Sequence, residues 1–591
     1  MINELRELMA KENIDWFVVF TEDPHLSEYT GECDKYREAL SGFTGSAGTL
    51  AVGESEAYLW TDSRYFVQAE SELAGSGITL KKYGLPGVES FESFLADHIW
   101  DGQTVAFDHM TLSYSRYREI RNKLPRSVDI IDGRKLLREA VSMPPRAFGR
   151  VESVPLTFSG RDISDKLSAL CDKIEQDYIR EDSYTYILSD LTSIMWLYNL
   201  RGCDIRYVPV AYSYALVTKY SATLFVSLSN LTDEAREMLT DNGVAVREYP
   251  EFIHELDEIA TDRVIADPHN NNSRILARFD ENHMLTECSD AQLITKPVKT
   301  AAETDGMINA HLKDAVIMIR FIKKVKEMAK DGCLPDEYEL GKMLDDMRLA
   351  GGCSSFSFET ICAYAHNSAI VHYTAGKDTA AKLSSRGFLL VDSGGQYRFE
   401  GTTDITRTIS LGDVTDEEKK IYTTVLKGNL RLMNMTFPDG VKGSLLDAVA
   451  ETPIWEIGEF CGHGIGHGVG AYLSVHESEA VISRRSGERD ASFVPGVIVS
   501  DEPGIYLEGR FGVRLENLLL TERAEDAHGY KMCRFTPLSL VPFDTESIDL
   551  SALSDEELEI LSHYNSLIEE KVFPLLDENE REWAKSYMIL R

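Results

Sequence analysis

Apolar and polar positions along the first 140 residues predict helices and strands in alternation. Apolar residues recur at helical spacing over residues 2–13, and the uninterrupted apolar run Trp16–Phe20 that follows predicts a buried strand. The same patterns predict a helix near 65–73 and four more strands, at 48–52, 57–61, 105–107 and 128–131. This alternation is typical of an α/β domain, and we place its end at residue 143.

A second α/β pattern begins after a stretch that contains several prolines. Pro144, Pro145 and Pro155 predict a linker, and an amphipathic helix from Ile163 to about Asp182 opens the next unit. Strands are predicted at 185–189, 208–215, 222–226 and 264–266. Both units contain a helix, an apolar strand and then a bend before a pair of strands, which raises the hypothesis of a structural duplication.

The pattern changes again near Pro297. Thr300 or Thr304 is the predicted cap of an amphipathic helix that runs to about Lys330. A second helix is predicted over 336–349, ended by two glycines. The chain then becomes rich in strands until an acidic, helical tail begins near residue 554.

Length and composition indicate a globular protein with several domains. A chain of 591 residues is too long for one hydrophobic core, and we predict domains at 1–143, 156–298 and 299–591. The content of 43% apolar and 27% charged residues is that of an ordinary globular protein. The formal charge of -36 argues against nucleic acid or an anionic membrane as a partner, because either would require a basic surface.

Cysteine use and the N-terminal sequence bear on the compartment. The nine cysteines are scattered and include no Cys-x-x-Cys pair, which favours a reducing environment without structural disulfides. The first residues carry acids and lack the apolar region of a secretory signal, and no stretch approaches the length of a membrane span. We therefore predict a cytoplasmic protein with no membrane partner.

Two aspartates stand beside strand-like segments of the third predicted domain. Asp392 ends the apolar run that starts at Gly387, which predicts a central strand. Asp404 opens a stretch in which polar residues alternate with Ile405, Arg407 and Ile409. Two strands joined in this way can place both carboxylates on one face, within reach of a common ion. Each aspartate taken alone is equally compatible with a turn or a cap.

The segment from Gly462 to Gly470 has glycine at every second position and carries two histidines. His463 and His467 are four residues apart, but the glycines argue against a helix and indicate close backbone approach or unusual dihedral angles. A flexible loop would account for the glycines but not for His476, which follows shortly afterwards. The segment is therefore predicted to be functional.

Two glutamates complete the set of candidate residues. Glu502 lies at the end of a predicted strand, before Pro503, and Glu516 lies inside the apolar run Val513–Leu520. A carboxylate in so apolar a run is costly to bury unless it is paired or bound to metal. Arg514 could pair with Glu516, but that alternative accounts for none of the other candidates.

Together these residues have the chemistry of a site for two metal ions. Hard cations such as manganese prefer carboxylates and accept one imidazole. Two dications would balance four carboxylates and leave the histidine neutral. Such a pair, about 3.5–4 Å apart, can ionise a shared water and polarise a carbonyl group. The predicted ligands are Asp392, Asp404, His467, Glu502 and Glu516.

These ligands and their flanking sequences resemble the metal-binding pattern of the pita-bread-fold metallopeptidases. Within that group, the motifs around His372, Asp404, His463, His476 and Glu502 resemble those of the Xaa-Pro aminopeptidase (aminopeptidase P) family. The similarity extends to the long, three-domain form of the family in the segments 41–48, 60–65, 196–202 and 535–542.

The resemblance implies a mixed fold, α/β and α+β, with two creatinase-like α/β domains before a pita-bread catalytic domain. It also implies two divalent ions, expected to be Mn2+, and a homodimer. His372, His463 and His476 would orient the scissile carbonyl and stabilise the oxyanion, and Glu502 would be both a ligand and the general base. The substrates would be peptides with proline in the second position, from which a hydroxide held by both metals releases the first residue.

Several alternatives remain at this point. A prolidase shares the fold and the metals but cleaves only dipeptides, and the two complete N-terminal units favour the aminopeptidase. A creatinase-type hydrolase works without metals and lacks most of these ligands, and a metal-free binding module of the same fold would have lost them. Arg514 and Tyr506 are candidates for the proline pocket. The segment 358–367 departs from the family pattern, which leaves the subsite preference open.

Overall fold

The computed structural model describes residues 1–179, 183–259, 263–485, 487 and 492–589. The chain forms two compact units, the first made of residues 1–155 and 161–295 and the second of residues 156–160 and 296–591. The predicted domain boundaries near 143, 156 and 298 stay predictions. Within the described part of the chain, no helix combines the length and the apolar character that crossing a membrane requires.

The first sheet is built around the buried strand Trp16–Phe20. That strand pairs antiparallel with Thr49–Val52 and parallel with Thr104–Phe107. Its side chains alternate between two cores, Phe17 and Val19 in one and the other three in the second, so both faces of the sheet are covered. In spatial order the strands are Thr79–Lys82, Ala57–Thr61, Thr49–Val52, Trp16–Phe20, Thr104–Phe107 and Asp129–Asp132. The helices are Ile2–Glu12, Tyr36–Ser41, Phe66–Glu72, Phe91–His98, Tyr114–Lys123 and Arg134–Ala140.

The second sheet of the first unit repeats this topology. Its strands have the same spatial order relative to chain order, and each neighbouring pair runs in the same relative direction as its counterpart. This agreement is what the duplication hypothesis requires. In spatial order the strands are Val244–Glu248, Ala222–Val226, Tyr214–Val217, Tyr184–Leu188, Arg263–Ala266 and Leu285–Glu287. The helices are Ile163–Asp177, Leu191–Leu197, Asp233–Asp241, Glu251–Glu255, Ser273–Glu281 and Asp290–Leu293.

Two elements of this half are shorter than predicted. The strand predicted over 208–215 begins only at Tyr214, and the main-chain N–H of Tyr212 donates instead to the Asp204 carboxylate (2.8 Å). The helix that begins at Ile163 ends at Asp177, and its predicted last residues, 180–182, lie outside the described residues.

The second unit begins with the short helix Leu156–Ser159 and the 31-residue helix Ala301–Asp331. Thr300 caps the long helix, since its hydroxyl accepts the N–H of Glu303 while the Glu303 carboxylate accepts the N–H of Thr300. Its apolar stripe packs into a single large core. The other helices of the unit are Glu337–Ala350, Asp416–Met433, Gly443–Glu456, Asp555–Lys571 and Glu578–Tyr587.

Several small sheets bring the candidate residues together in this unit. The largest has, in order, the strands Thr436–Pro438, Met532–Pro537, Asn517–Arg523, Ile498–Asp501, Gly466–Gly468 and Glu477–Ile482. A three-stranded sheet contains Ile361–Tyr364, Phe388–Ser393 and Ile405–Ser410, and another contains Ser355–Phe356, Gly395–Tyr397 and Gly401–Thr402. Two-stranded sheets pair Gly504–Leu507 with Phe511–Arg514 and Val441–Lys442 with Ser492–Phe493.

Candidate metal centre and active site

Asp392 lies in the three-stranded sheet, and Asp404 directly precedes one of its strands. Asp392 stands opposite Thr406 in the antiparallel pair formed by Phe388–Ser393 and Ile405–Ser410. Asp404 comes two residues before Thr406 and directly precedes the strand Ile405–Ser410. Both carboxylates are buried. That both carboxylates lie within reach of a common ion stays a prediction, and the structure brings Asp404 together with His467 and Glu516.

The glycine-rich segment brings His467 to the same place. A Cβ at Gly466 would lie 1.9 Å from the carbonyl oxygen of Ser500, so only glycine permits this close approach of two strands. His467 Nδ1 lies 2.9 Å from the carbonyl oxygen of Gly468, which fixes the hydrogen on Nδ1. His467 Nε2 then faces Asp404 Oδ2 and Glu502 Oε1, each 3.5 Å away. This is the orientation that a metal-binding imidazole needs.

Glu502 and Glu516 reach the site from strand ends. Glu502 follows the strand Ile498–Asp501, and its Oε1 accepts the hydroxyl of Ser500 (3.3 Å). The apolar run around Glu516 suggested one continuous strand, but the structure has two strands there. Glu516 lies between Phe511–Arg514 and Asn517–Arg523, which belong to different sheets. Its Oε2 accepts the hydroxyl of Thr406 (2.8 Å).

The alternative to a metal site required an ion pair between Arg514 and Glu516, but Arg514 pairs with Asp392 instead. Its Nη2 donates to Asp392 Oδ2 (2.5 Å), its Nε to the hydroxyl oxygen of Thr406 (3.2 Å) and its Nη1 to the hydroxyl oxygen of Tyr506 (2.7 Å). The Arg514 side chain is 2% exposed, so its ion pair with Asp392 is buried. The pairing occupies Oδ2 and leaves Oδ1 without a hydrogen-bond partner among the described residues.

The donor set fits divalent cations. Asp392 Oδ1, Asp404 Oδ1 and Glu516 Oε1 are buried and, within the described part of the chain, have no hydrogen-bond partner. A buried carboxylate oxygen without a donor is costly, and a cation removes that cost. One ligand atom each from Asp404, His467 and Glu516 lies within 4.8 Å of the other two. The residues therefore converge as metal ligands do.

The protonation tendencies of the cluster agree with this interpretation. Burial, and then the charges of Asp404, Glu502 and Asp392, raise the pKa of Glu516 well above its usual range. Burial lowers the pKa of His467, but the hydrogen bond to Asp404 and the charge of Glu502 outweigh it and raise that pKa to about 9. In both groups, neighbouring carboxylates contribute to the raised pKa, and dications would balance that negative charge.

The three other candidate histidines have different contacts. His463 Nε2 lies 2.7 Å from the hydroxyl of Tyr506, which links the imidazole through Arg514 to Asp392. The His476 ring stands perpendicular to that of His467, with centroids 4.4 Å apart. His372 is half-buried, and the carbonyl of its neighbour Val371 accepts from Arg514 Nη2 (3.5 Å).

The structure adds residues that sequence reasoning did not assign. Thr406 binds Glu516 and Arg514, and Ser500 binds the N–H of His467 (2.9 Å) as well as Glu502. Arg407 is 1% exposed and donates to the carbonyl oxygen of Glu516 (2.6 Å). A signal for Arg407 was available, because an arginine on the apolar side of an alternating strand must find acceptors when buried.

Family models match the chain nearly from end to end. The model of metallopeptidase family M24 matches residues 305–523, and a model of its C-terminal region matches 531–587. Two models of the creatinase/prolidase N-terminal domain match residues 1–140 and 142–303.

Relatives and a solved structure match over the same length. A probable Xaa-Pro aminopeptidase P of Pyricularia oryzae is 33% identical over 598 residues, covering 96% of this chain and 95% of that protein. Aminopeptidase P1 of Arabidopsis thaliana is 31% identical and covers 99% and 98%, respectively. The crystal structure of an X-prolyl aminopeptidase from Caenorhabditis elegans, described as a cytosolic enzyme with a di-nuclear active site, has a TM-score of 0.93 at 28% identity and covers 100% of this chain and 98% of that one. With two creatinase-type domains, an M24 domain and near full-length identity above 30%, the chain belongs to the aminopeptidase P family of M24 metallopeptidases.

Proposed function

We propose that this chain is a metal-dependent aminopeptidase that releases the first residue from peptides with proline in the second position. The observation that carries the proposal is the convergence of Asp404, His467 and Glu516, beside buried carboxylate oxygens without hydrogen-bond partners among the described residues. It occurs in a chain related over nearly its whole length to aminopeptidases P.

The proposed metal ligands are Asp392, Asp404, His467, Glu502 and Glu516. We infer two divalent ions, since the related worm enzyme is described as di-nuclear and four carboxylates can balance two dications. Four carboxylates and one imidazole suit Mn2+, which is the metal that we propose. When bound, such a pair supplies an acidified water and a Lewis acid for the scissile carbonyl.

The remaining residues would act on the substrate and on protons. Glu502, one of whose oxygens lies 3.5 Å from His467 Nε2, would also accept the proton that the attacking water loses. His372, His463 and His476 would contact the substrate, orient its scissile carbonyl and stabilise the developing oxyanion. The Tyr506–Arg514 link would keep His463 in place by holding its Nε2.

The specificity for proline has a physical basis. An Xaa-Pro bond has no N–H and its proline has a fixed φ, so a site shaped for an extended secondary amide rejects it. A site that accepts the ring gains substrates that other aminopeptidases leave uncut. The free amino terminus of the peptide is expected to bind near the metal cluster, which limits release to one residue.

Assays on three peptides test the proposal and separate it from a prolidase. The purified protein, supplied with Mn2+, is expected to cleave an Xaa-Pro-Xaa tripeptide and a longer Xaa-Pro peptide, and to leave an Xaa-Ala-Xaa peptide largely uncut. A chelator should abolish the cleavage and added Mn2+ should restore it. Cleavage of Xaa-Pro dipeptides with no action on the longer peptides would instead establish a prolidase, and activity unaffected by chelation would contradict the metal site.

Two further properties are part of the proposal. A cytoplasmic location is supported by the description of the worm enzyme as cytosolic and by nine cysteines that all remain free in the structure. The homodimer that the family resemblance implies would appear as a mass near twice 66.4 kDa in light scattering coupled to size-exclusion chromatography.

A further inference from the structure

A fully buried carboxylate lies beside the segment that carries His372. Glu337 is the first residue of the helix Glu337–Ala350 and is 0% exposed. Residues 364–381, here called the His372 segment, run from the end of the strand Ile361–Tyr364 through the 3-10 helix Ala365–Ala369 to Ala381. The Glu337 carboxylate contacts this segment at both ends and at the residue after His372.

Each oxygen of Glu337 receives at least two donors from the segment. Oε1 accepts the main-chain N–H of Tyr364 (2.7 Å) and the side-chain amide of Asn367 (3.0 Å). Oε2 accepts the hydroxyl of Tyr373 (2.7 Å), the main-chain N–H of Ala381 (2.7 Å) and the Asn367 amide (3.1 Å). The carboxylate is the acceptor in all five of these contacts. It also lies in the first turn of a helix, where an acidic side chain is favourable.

Tyr373, which directly follows His372 in the chain, is held by two hydrogen bonds. The Tyr373 hydroxyl donates to Glu337 and accepts from the Asn367 amide (3.0 Å), so its orientation is fixed by two bonds. Burial, and then the hydrogen bond to Glu337, raise the pKa of Tyr373, which keeps its proton available for donation. Tyr373, the residue after His372, is therefore hydrogen-bonded to the buried Glu337 carboxylate.

The other side of His372 is tied to the proposed metal centre. The Val371 carbonyl accepts from Arg514 Nη2 (3.5 Å), and Arg514 also binds the proposed ligand Asp392. The Ser368 hydroxyl accepts the N–H of Gly512 (2.7 Å), on the strand that bears Arg514. His372 thus lies between two tethered neighbours, one anchored to Glu337 and one to Arg514.

We propose that Glu337 is a positioning residue for the reaction, which holds the His372 imidazole at the substrate through Tyr373 and Asn367. The inference rests on the proposed function, in which His372 contacts the substrate. Glu337 would add nothing to substrate binding itself. It would set the fraction of molecules in which His372 is correctly placed, so its loss would lower kcat more than it raises KM.

The variant Glu337→Gln is the direct test. A glutamine must turn its NH2 toward either the Tyr364 N–H or the Ala381 N–H, so one end of the segment loses its acceptor in either orientation. With an Xaa-Pro-Xaa tripeptide we expect kcat to fall about 10- to 100-fold and KM to change less than about 3-fold. An unchanged kcat in a folded variant with bound metal would overturn the proposal.

The variant Tyr373→Phe tests the same idea with a smaller disturbance, in case Glu337→Gln fails to fold. It removes one hydroxyl and should lower kcat about 3- to 10-fold. Tyr364→Phe is the matched control. It removes a hydroxyl from the same segment, but one that donates to the Arg386 carbonyl (2.9 Å) and has no contact with Glu337, so kcat should stay within about 2-fold.

A double-mutant cycle with His372→Ala separates positioning from general damage. If Glu337 acts through His372, adding Glu337→Gln or Tyr373→Phe to His372→Ala should change kcat by less than about 2-fold. Losses that simply multiply in the His372→Ala background would overturn the proposal.

Hydrogen exchange tests the anchoring by Glu337 without relying on peptidase activity, so the two proposals can fail separately. Peptides covering residues 364–381 should exchange faster in Glu337→Gln and in Tyr373→Phe, but not in Tyr364→Phe, even if the wild-type protein cleaves no Xaa-Pro peptide. A wild-type protein without peptidase activity would defeat the proposed function, whereas unchanged exchange in both variants would defeat the anchoring by Glu337.

Discussion

Glu516 shows what a buried carboxylate needs in this fold. It is 1% exposed, its Oε2 has the Thr406 hydroxyl, and its Oε1 has no hydrogen-bond partner within the described residues. Burial and neighbouring carboxylates raise the pKa of Glu516, so the fold without a cation carries a free-energy cost at this residue. As a proposed metal ligand, Glu516 would therefore couple metal binding to the stability of the fold.

Replacing Glu516 by Gln should remove that coupling. At Mn2+ concentrations about 100 times the dissociation constant, the wild-type protein should gain about 2.7 kcal/mol from the ion. We expect Glu516→Gln to lose most of this gain, to bind fewer than two ions per chain and to lose at least 100-fold in kcat/KM. Thermal unfolding with and without Mn2+, together with metal analysis, measures these effects.

The matched control for this change is Glu525→Gln at an exposed position. It removes the same charge away from the cluster and should keep the full shift with Mn2+. An equal Mn2+ shift in Glu516→Gln and in the wild type would mean that Glu516 is not a ligand.

Asp23, in the first unit, is a second carboxylate whose ionised form is destabilised by burial. It is 0% exposed; its Oδ1 accepts the N–H groups of His25 (2.9 Å) and Ser27 (3.0 Å), while its Oδ2 has no hydrogen-bond partner among the described residues. Burial, and then the charge of Asp34, raise the pKa of Asp23 from 3.8 to about 6, although Arg146 opposes the shift. The folded protein therefore holds this proton more tightly than the unfolded chain does.

The sign of the pH dependence follows from that shift. A raised carboxyl pKa contributes stability that is present below pH 3.8 and is lost as the pH rises through about 6. Asp23→Asn removes this pH-dependent contribution to stability but keeps a side-chain oxygen for the N–H groups of His25 and Ser27. The unfolding free energy of the variant minus that of the wild type should thus rise by on the order of 3 kcal/mol from pH 4 to pH 7.

Urea unfolding at a series of pH values measures this difference. The exposed Asp241→Asn removes one charge from the same unit and serves as the control. A difference for Asp23→Asn that stays constant between pH 4 and pH 7 would show that Asp23 is ionised equally in both states.

At the scale of elements, the glycine-rich segment decides whether the site can form. A Cβ at Gly466 would meet the Ser500 carbonyl oxygen at 1.9 Å, whereas one at Gly462 would meet nothing within 4 Å. Gly466→Ala should separate the strands that carry His467 and Glu502, and so lower metal occupancy and cut kcat/KM by at least 100-fold.

Gly462→Ala lies in the same segment and should stay within about 3-fold of the wild-type kcat/KM, because a methyl group there has open space. Metal analysis and tripeptide kinetics on the two variants make the comparison. Equal activity of Gly466→Ala and Gly462→Ala would show that the strands can separate without disturbing the site.

The elements also show what the sequence could predict. The buried strand Trp16–Phe20 and the strand that reaches Asp392 were predicted, and Thr300 was one of two predicted caps, since each depends on local pattern. The break at Glu516 between two sheets was not predicted, because the apolar run Val513–Leu520 continues through it and only tertiary pairing ends the first strand.

The same distinction holds for the candidate site. The five proposed ligands could be named because carboxylates and an imidazole near strand ends have few inexpensive structural roles. The partner of Arg514 was not predictable. The choice between Asp392 and Glu516 depends on which sheet faces the guanidinium group, and sequence neighbours do not encode that.

At the scale of the whole molecule, the two compact units have separate hydrophobic cores, and all five proposed ligands lie in the second unit, between residues 392 and 516. These ligands come from separate strands and strand ends, so bound ions would cross-link segments that are distant in sequence. Ligand binding stabilises the states that contain the site and no others. The ions should therefore stabilise the second unit selectively.

Hydrogen exchange of the full chain with and without Mn2+ tests this selectivity. Peptides from residues 388–410, 466–468 and 498–523 should gain protection with the metal, whereas the strands Trp16–Phe20 and Tyr184–Leu188 of the first unit should exchange at unchanged rates. His467→Ala should abolish the gain in the second unit, since it removes a ligand from the centre of the cluster. A comparable gain in the first unit would mean that the two units unfold as one body, and the metal would then stabilise the entire chain.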